Sequence, residues 1–143
     1  MIKIRLASAS DLEWINEQYK KADFLLSDLQ NEYVVIATID NERAGVGRLV
    51  KINEDTAEMG GIYTLEEFRG KKVADSIVKH LVEQAQQIKY FNIYCIPFKP
   101  LKNFYAKHGF SEITQFEHIH PDILNKLNFC KKEYETDVLL MKI

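Results

Sequence analysis

Polar and apolar residues alternate from Ile2 to Leu6 in this 143-residue chain, the two-residue period of a strand with one buried face. Ser10, Asp11, Leu12 and Glu13 follow, a capping residue with a carboxylate three positions on. That predicts a helix starting at Ser10, with Leu12, Ile15 and Tyr19 on one face. Residues 23–31 are less periodic and leave a short helix or a loop open. Two β-branched and aromatic runs, 33–39 and 44–52, flank the turn Asp40-Asn41-Glu42-Arg43 and read as a hairpin. A third run, 57–64, contains Gly60-Gly61, which predicts a bulge or a close approach of backbone.

From 73 to about 89 the apolar positions Val73, Ile77, Val78, Leu81, Val82 and Ala85 recur at helical spacing. A continuous apolar strand at 91–96 ends before Pro97, and a short helix over 101–107 stops at Gly109. Strands are expected at 110–116 and 138–143, with a helix between them starting near Pro121. No repeat, low-complexity tract or linker interrupts this order. Residues 1–143 therefore read as one α+β domain, with a long helix crossing between two central strands.

Hydrophobic residues make up 46% of the chain, enough for a core without staples. A net charge of −2 offers no field to gather nucleic acid. No apolar run reaches the ~18–20 residues that cross a bilayer, and the alternating N-terminus is no signal-peptide core, so a cytoplasmic protein is expected. Cys95 and Cys130 are too few for a zinc site or a disulfide framework, and Cys95 reads as a buried thiol. His118 and His120 lack a third ligand nearby, so no metal is expected.

From Glu58 to Asp75 the chain reads as a strand, a tight basic turn and the start of the long helix. The opening amides of a helix have no internal partner and its dipole favours an anion, so a pyrophosphate can be held there. Gly70 and Ala74 keep side-chain bulk away, and Arg69, Lys71 and Lys72 add positive charge. The glycine spacings of a P-loop and of a dinucleotide-binding turn are both absent.

The run Arg69-Gly70-Lys71-Lys72-Val73-Ala74 resembles the acetyl-CoA motif of the GNAT family of N-acetyltransferases, Arg/Gln-x-x-Gly-x-Gly/Ala at the start of a long helix. Lys72 stands where that family usually has its middle glycine. A second block, 92–110, resembles the family's strand–helix–turn unit, with Tyr105 four residues before Gly109-Phe110. The resemblance extends over nearly the whole chain. It implies a three-layer α+β sandwich, whose mixed, mostly antiparallel central sheet carries helices on both faces.

It also implies acetyl-CoA as cosubstrate, contacted by Ile62, Tyr63, Thr64, Arg69, Gly70, Lys71, Lys72, Val73, Ala74, Asp75 and Asn103. Pantetheine amides would pair with strand backbone at Ile62 and Thr64. The strand starting near Phe91 would splay away to open a slot, with Pro97 and Pro100 at its end. Glu58 lies four residues before Ile62, where several family members place a general base; Glu42, Glu66 or no side-chain base are the alternatives. Tyr105 would reach the CoA sulfur as an acid, and an amide near Ile62 would stabilise the oxyanion. Trp14, Tyr19 and Phe24 either cover the acceptor side or belong to the core.

The expected reaction is direct acetyl transfer, in a ternary complex, to a primary amine of a small molecule or amino acid. Dimers are common in such proteins, so a homodimer is compatible with the resemblance. A CoA-binding regulatory module that has lost catalysis, and an acetyltransferase acting on protein lysines or N-termini, stay open as alternatives.

Overall fold

The expected hairpin lies at the centre of the N-terminal half of the sheet in the computed structural model, which describes residues 1–143. Strand β1 (Ile2–Leu6) pairs antiparallel with β2 (Glu32–Ile39), β2 with β3 (Glu42–Lys51), and β3 with β4 (Thr56–Thr64). Asp40 and Asn41 both take positive φ, 51° and 66°, which makes the β2–β3 connection a two-residue turn whose twist matches its strands. The turn is therefore shorter than expected, and β3 begins at Glu42.

Helix α2 (Val73–Ile88) then crosses over the sheet and delivers β5 (Asn92–Cys95) parallel to β4, the one parallel pair. Strand β7 (Met141–Lys142) inserts between β5 and β6 (Ser111–Glu112), giving the order β1-β2-β3-β4-β5-β7-β6. The sheet is mixed and mostly antiparallel, as the resemblance implies. Both terminal strands are much shorter than the expected 110–116 and 138–143. Val138 bridges Phe98, Leu139 donates to the Pro97 carbonyl, and only from Met141 does the segment lie between two strands.

Helices cover both faces because successive strand residues point to opposite sides. Val35, Ala37, Leu49, Met59 and Ile93 pack with the apolar stripe of α2. On the other face Val34, Ile36 and Val46 meet Ile15 and Tyr19 of α1 (Leu12–Ala22). Farther along that face Tyr94 and Leu140 meet Ile123, Leu127 and Cys130 of α4 (Pro121–Glu133). The short α3 (Lys102–Ala106) precedes Gly109, whose φ of 100° ends it.

The first helix opens upstream of its expected cap. Ser8, not Ser10, is the capping residue, and Ala9–Asp11 form a 3-10 turn leading into α1. The Asp11 carboxylate accepts from the Ser8 amide at 2.9 Å while Arg5 and Arg43 hold it at 2.7 and 3.0 Å. Arg5 chiefly, aided by the Ser8 amide and Arg43, keeps that carboxyl well below the usual range. This long-range clamp ties β1, β3 and the helix start together. Residues 23–31 form a loop, pinned where Asn16 exchanges hydrogen bonds of 2.9 and 2.8 Å with the Ser27 backbone. No helix is long and apolar enough to cross a membrane.

Candidate active site

The amides of Val73, Ala74 and Asp75 precede the first hydrogen bond that closes onto this turn, Ser76 N–H to the Lys72 carbonyl at 3.1 Å. They open onto a cavity of about 400 Å³ lined by Thr64, Arg69, Gly70, Lys72, Val73, Ala74 and Asp75, with Phe68, Phe104 and Lys107 from the surroundings. Gly70 and Lys72 both have positive φ, 80° and 65°. The left-handed bend at Lys72 explains why glycine suits this position, and the lysine accepts the strain with its side chain in solvent. Nothing lies within 4 Å of where a Gly70 Cβ would stand, so the cradle is open. Arg69 donates to the Thr64 carbonyl at 3.2 Å and lies over the Tyr63 ring, while Lys71 lies over Phe68.

The slot beside β4 comes from strand pairing that stops. Thr56 to Met59 are paired with Asn92 to Cys95, and β4 then runs on to Thr64 with no neighbour on that side. Beyond Cys95 the chain turns toward the other edge, where Lys99 donates to the Asp137 carbonyl at 2.8 Å and Phe98 bridges Val138. Pro97 cannot donate to a continuing ladder, which fits this parting.

Within the slot β4 is bulged. Gly61 has φ of 59°, and a Cβ there would stand 2.5 Å from the Tyr19 hydroxyl, which donates to the Gly61 carbonyl at 2.9 Å. Only glycine fits. Tyr19 thus belongs to the core and also fixes the bulge, while Trp14 lies under Arg43 outside the slot.

A second cavity, of about 180 Å³, occupies the slot between β4 and β5. Glu58, Ile62, Cys95 and Tyr105 line it, joined by Phe24, Arg48, Lys126 and Tyr134. Glu58 is only 2% exposed and accepts a hydrogen bond from Lys126 of α4. Arg48 donates to Glu32 at 3.0 Å and to the Leu25 carbonyl at 2.8 Å, with its guanidinium over the Tyr19 ring. Tyr134 donates to the Asp23 carbonyl at 2.7 Å, so the 23–31 loop roofs this end. Burial pushes the Tyr105 phenol up, which keeps it protonated, and pushes the Cys95 thiol up as well.

Most of the expected residues converge. Glu58, Ile62 and Tyr105 share the smaller cavity, and Thr64 and the helix opening line the larger one. Tyr63, Lys71 and Asn103 line neither; Asn103 faces solvent on α3, and the Asp75 carboxylate is turned to His108 at 3.0 Å. The alternative carboxylates are elsewhere: Glu42 lies by Arg43 at the β2–β3 turn, and Glu66 is exposed in the turn after β4. His120 caps α4 by accepting from the Asp122 amide at 3.1 Å.

Sequence reasoning missed Arg48, Lys126 and Tyr134. Arg48, a lone charge inside an apolar strand, carried a readable signal; Lys126, 68 residues from Glu58, carried none.

The acetyltransferase (GNAT) family model matches residues 4–110. No curated protein matches the chain in sequence. Among solved structures it is similar in fold to Rv2747 from Mycobacterium tuberculosis, in complex with CoA and NLQ, at a TM-score of 0.79 and 18% identity, covering 99% of this chain and 98% of that one. A GNAT family acetyltransferase from Elizabethkingia anophelis with acetyl-CoA bound gives 0.71 and 19%, covering 99% and 97%. The ribosomal-protein-S18-alanine N-acetyltransferase from Escherichia coli gives 0.74 and 14%, covering 100% and 93%.

Proposed function

The chain belongs to the acetyltransferase (GNAT) family, and we propose that it moves the acetyl group of acetyl-CoA directly to the primary amine of a small molecule or amino acid. One observation carries this reading. The unpaired side of β4 runs from Gly60, which lines the smaller cavity with Glu58, to Thr64, beside the open amides of α2.

The residues present fit acetyl-CoA. The diphosphate would accept from the amides of Val73, Ala74 and Asp75 near Gly70, with Arg69, Lys72 and Lys107 adding charge. The Thr64 hydroxyl is buried without a hydrogen-bond partner at the head of this cradle, so it has capacity to spare for a polar neighbour. Ile62 and Thr64 backbone would hold the pantetheine amides. Once bound, the cosubstrate supplies an activated acetyl group with a thiol as leaving group.

The remaining work falls to the chain. Glu58 would take the proton of the acceptor amine, directly or through water, and an amide near Ile62 would face the developing oxyanion. Tyr105 holds a proton at its hydroxyl, ready for the departing thiolate. Phe24, Leu25 and Tyr134 enclose the acceptor end, and about 180 Å³ suits a small amine better than a protein segment. Two free, buried cysteines favour the cytoplasm as the place of action.

Thermal shift with acetyl-CoA tests the first half. At a hundred times its Kd the ligand should add about 2.7 kcal/mol of stability. Thiol release across a panel of small amines tests the second, and acetyl-CoA binding without turnover of any amine would overturn it.

A further inference from the structure

We infer that the acceptor carries an anionic group beside its amine, as a free α-amino acid does, and that Lys126 receives that group. The inference rests on the reading above, in which the cavity around Glu58 takes the acceptor.

Glu58 and Lys126 form a carboxylate–ammonium pair in one wall of the cavity. The two members are held unequally: the Glu58 side chain is 3% exposed, whereas that of Lys126 is 25% exposed and ends a flexible four-carbon stem. The carboxylate lies over Gly60 of β4: a Cβ there would come within 2.6 Å of Glu58 Oε2, so glycine leaves room for it, while Lys126 Nζ would be in ordinary contact at 3.9 Å. An amine that reaches the other carboxylate oxygen, Oε2, divides Glu58 between two cations, since Lys126 holds Oε1.

What compensates the second cation selects the acceptor. A polyamine or a plain alkylamine would leave two ammonium groups sharing one carboxylate in a partly buried place, and the uncompensated positive charge is costly. A carboxylate next to the acceptor's ammonium satisfies it. The acceptor's cation then faces Glu58 and its anion faces Lys126, so both pairs close at once. The other cation in the wall, Arg48, already has its charge matched by Glu32 and a bond to the Leu25 carbonyl, and only its buried Nε–H is without a partner. The rest of the lining, including Phe24, Leu25, Ile96, Phe98 and Val138, is apolar and suits an uncharged side chain.

The test compares free L-amino acids with their primary amides and with the amines left after decarboxylation, by thiol release from acetyl-CoA. Free acids are expected to exceed their amides by about tenfold or more in kcat/KM. Lys126→Met should bring the acid-to-amide ratio close to one, mainly through KM of the acid, and Lys126→Arg should keep the preference. Retention of the acetyl-CoA thermal shift shows that each variant is folded. Amides or polyamines used as well as free acids by the unaltered protein would overturn the inference and leave the acetyltransferase reading intact, as would a preference that survives Lys126→Met. Absence of thiol release with every amine would remove the acetyltransferase reading, and the inference with it.

Discussion

At the Arg69–Asp75 end of the slot the groups proposed to bind the cosubstrate are consecutive amides, set by left-handed residues at Gly70 and Lys72 and one helix start. At the Glu58 end they are side chains gathered from β3, β4, α4 and the loop before β2. A backbone site depends on conformation and tolerates changes of side chain. A side-chain site depends on distant elements arriving together and tolerates few substitutions. Lys72 illustrates the first condition: it replaces a glycine yet keeps the bend at φ of 65°. Glu58 illustrates the second, since its partner comes from a helix 68 residues away.

Substitutions can separate the two ends. The largest effect is expected from Glu58→Gln, which should lower kcat/KM by about 10²–10⁴-fold, as for loss of a general base, while the acetyl-CoA thermal shift persists. If that variant turns over normally, the smaller cavity does not supply the base. Gly70→Glu should remove the thermal shift of about 2.7 kcal/mol altogether. Packing is not the cause, because there is open space around Gly70; a strained φ of 80° and a negative charge at an anion cradle are. Normal acetyl-CoA binding by Gly70→Glu would mean that the phosphates lie elsewhere.

Smaller changes sharpen the contrast. Tyr105→Phe should lower kcat by about tenfold, since a thiol with a pKa near 8.5 leaves tolerably well without an acid. Burial holds the phenol above its ordinary pKa, so its proton stays in place as pH rises to about 9, and wild-type kcat should show no decline from this group there. A kcat equal to wild type in Tyr105→Phe would leave the ring a packing role against Phe104 and Phe110. The smallest effect belongs to Lys72→Gly, expected to change the acetyl-CoA Kd by less than about threefold and stability by less than about 1 kcal/mol, as relief of the bend offsets a more flexible unfolded chain. A clearly weaker Kd, measured by titration, would show that the ammonium itself takes part.

The same contrast decides what could be read from the sequence. The cradle was legible because strand, turn and helix are contiguous and each leaves a local mark. The bulge at Gly60-Gly61 was legible for that reason too, although not that Tyr19 would hold it. The helix cap was misassigned to Ser10 because Asp11 answers to Arg5 and Arg43, and Arg43 lies on another strand. The strands expected at 110–116 and 138–143 were overlong because Val138 makes only an isolated bridge and Leu140 accepts one bond from Ile113, while their side chains pack against α4. Lys126 left no trace, being one more lysine beside the buried stripe of a helix.

The position of β7 has a bearing on how the protein is made. Ribosomes deliver the chain from its N-terminus, and β7 is the last strand of this sheet in chain order, yet it lies between β5 and β6. A nascent chain can complete β1 to β4 and dock α2 early, but β5 keeps an uncovered edge and β6 has no strand partner until Met141 and Lys142 arrive. The wall bearing Tyr105 and Lys126 therefore matures last. Substitutions that hinder its closure should cost yield of folded protein before they alter the turnover of molecules that do fold.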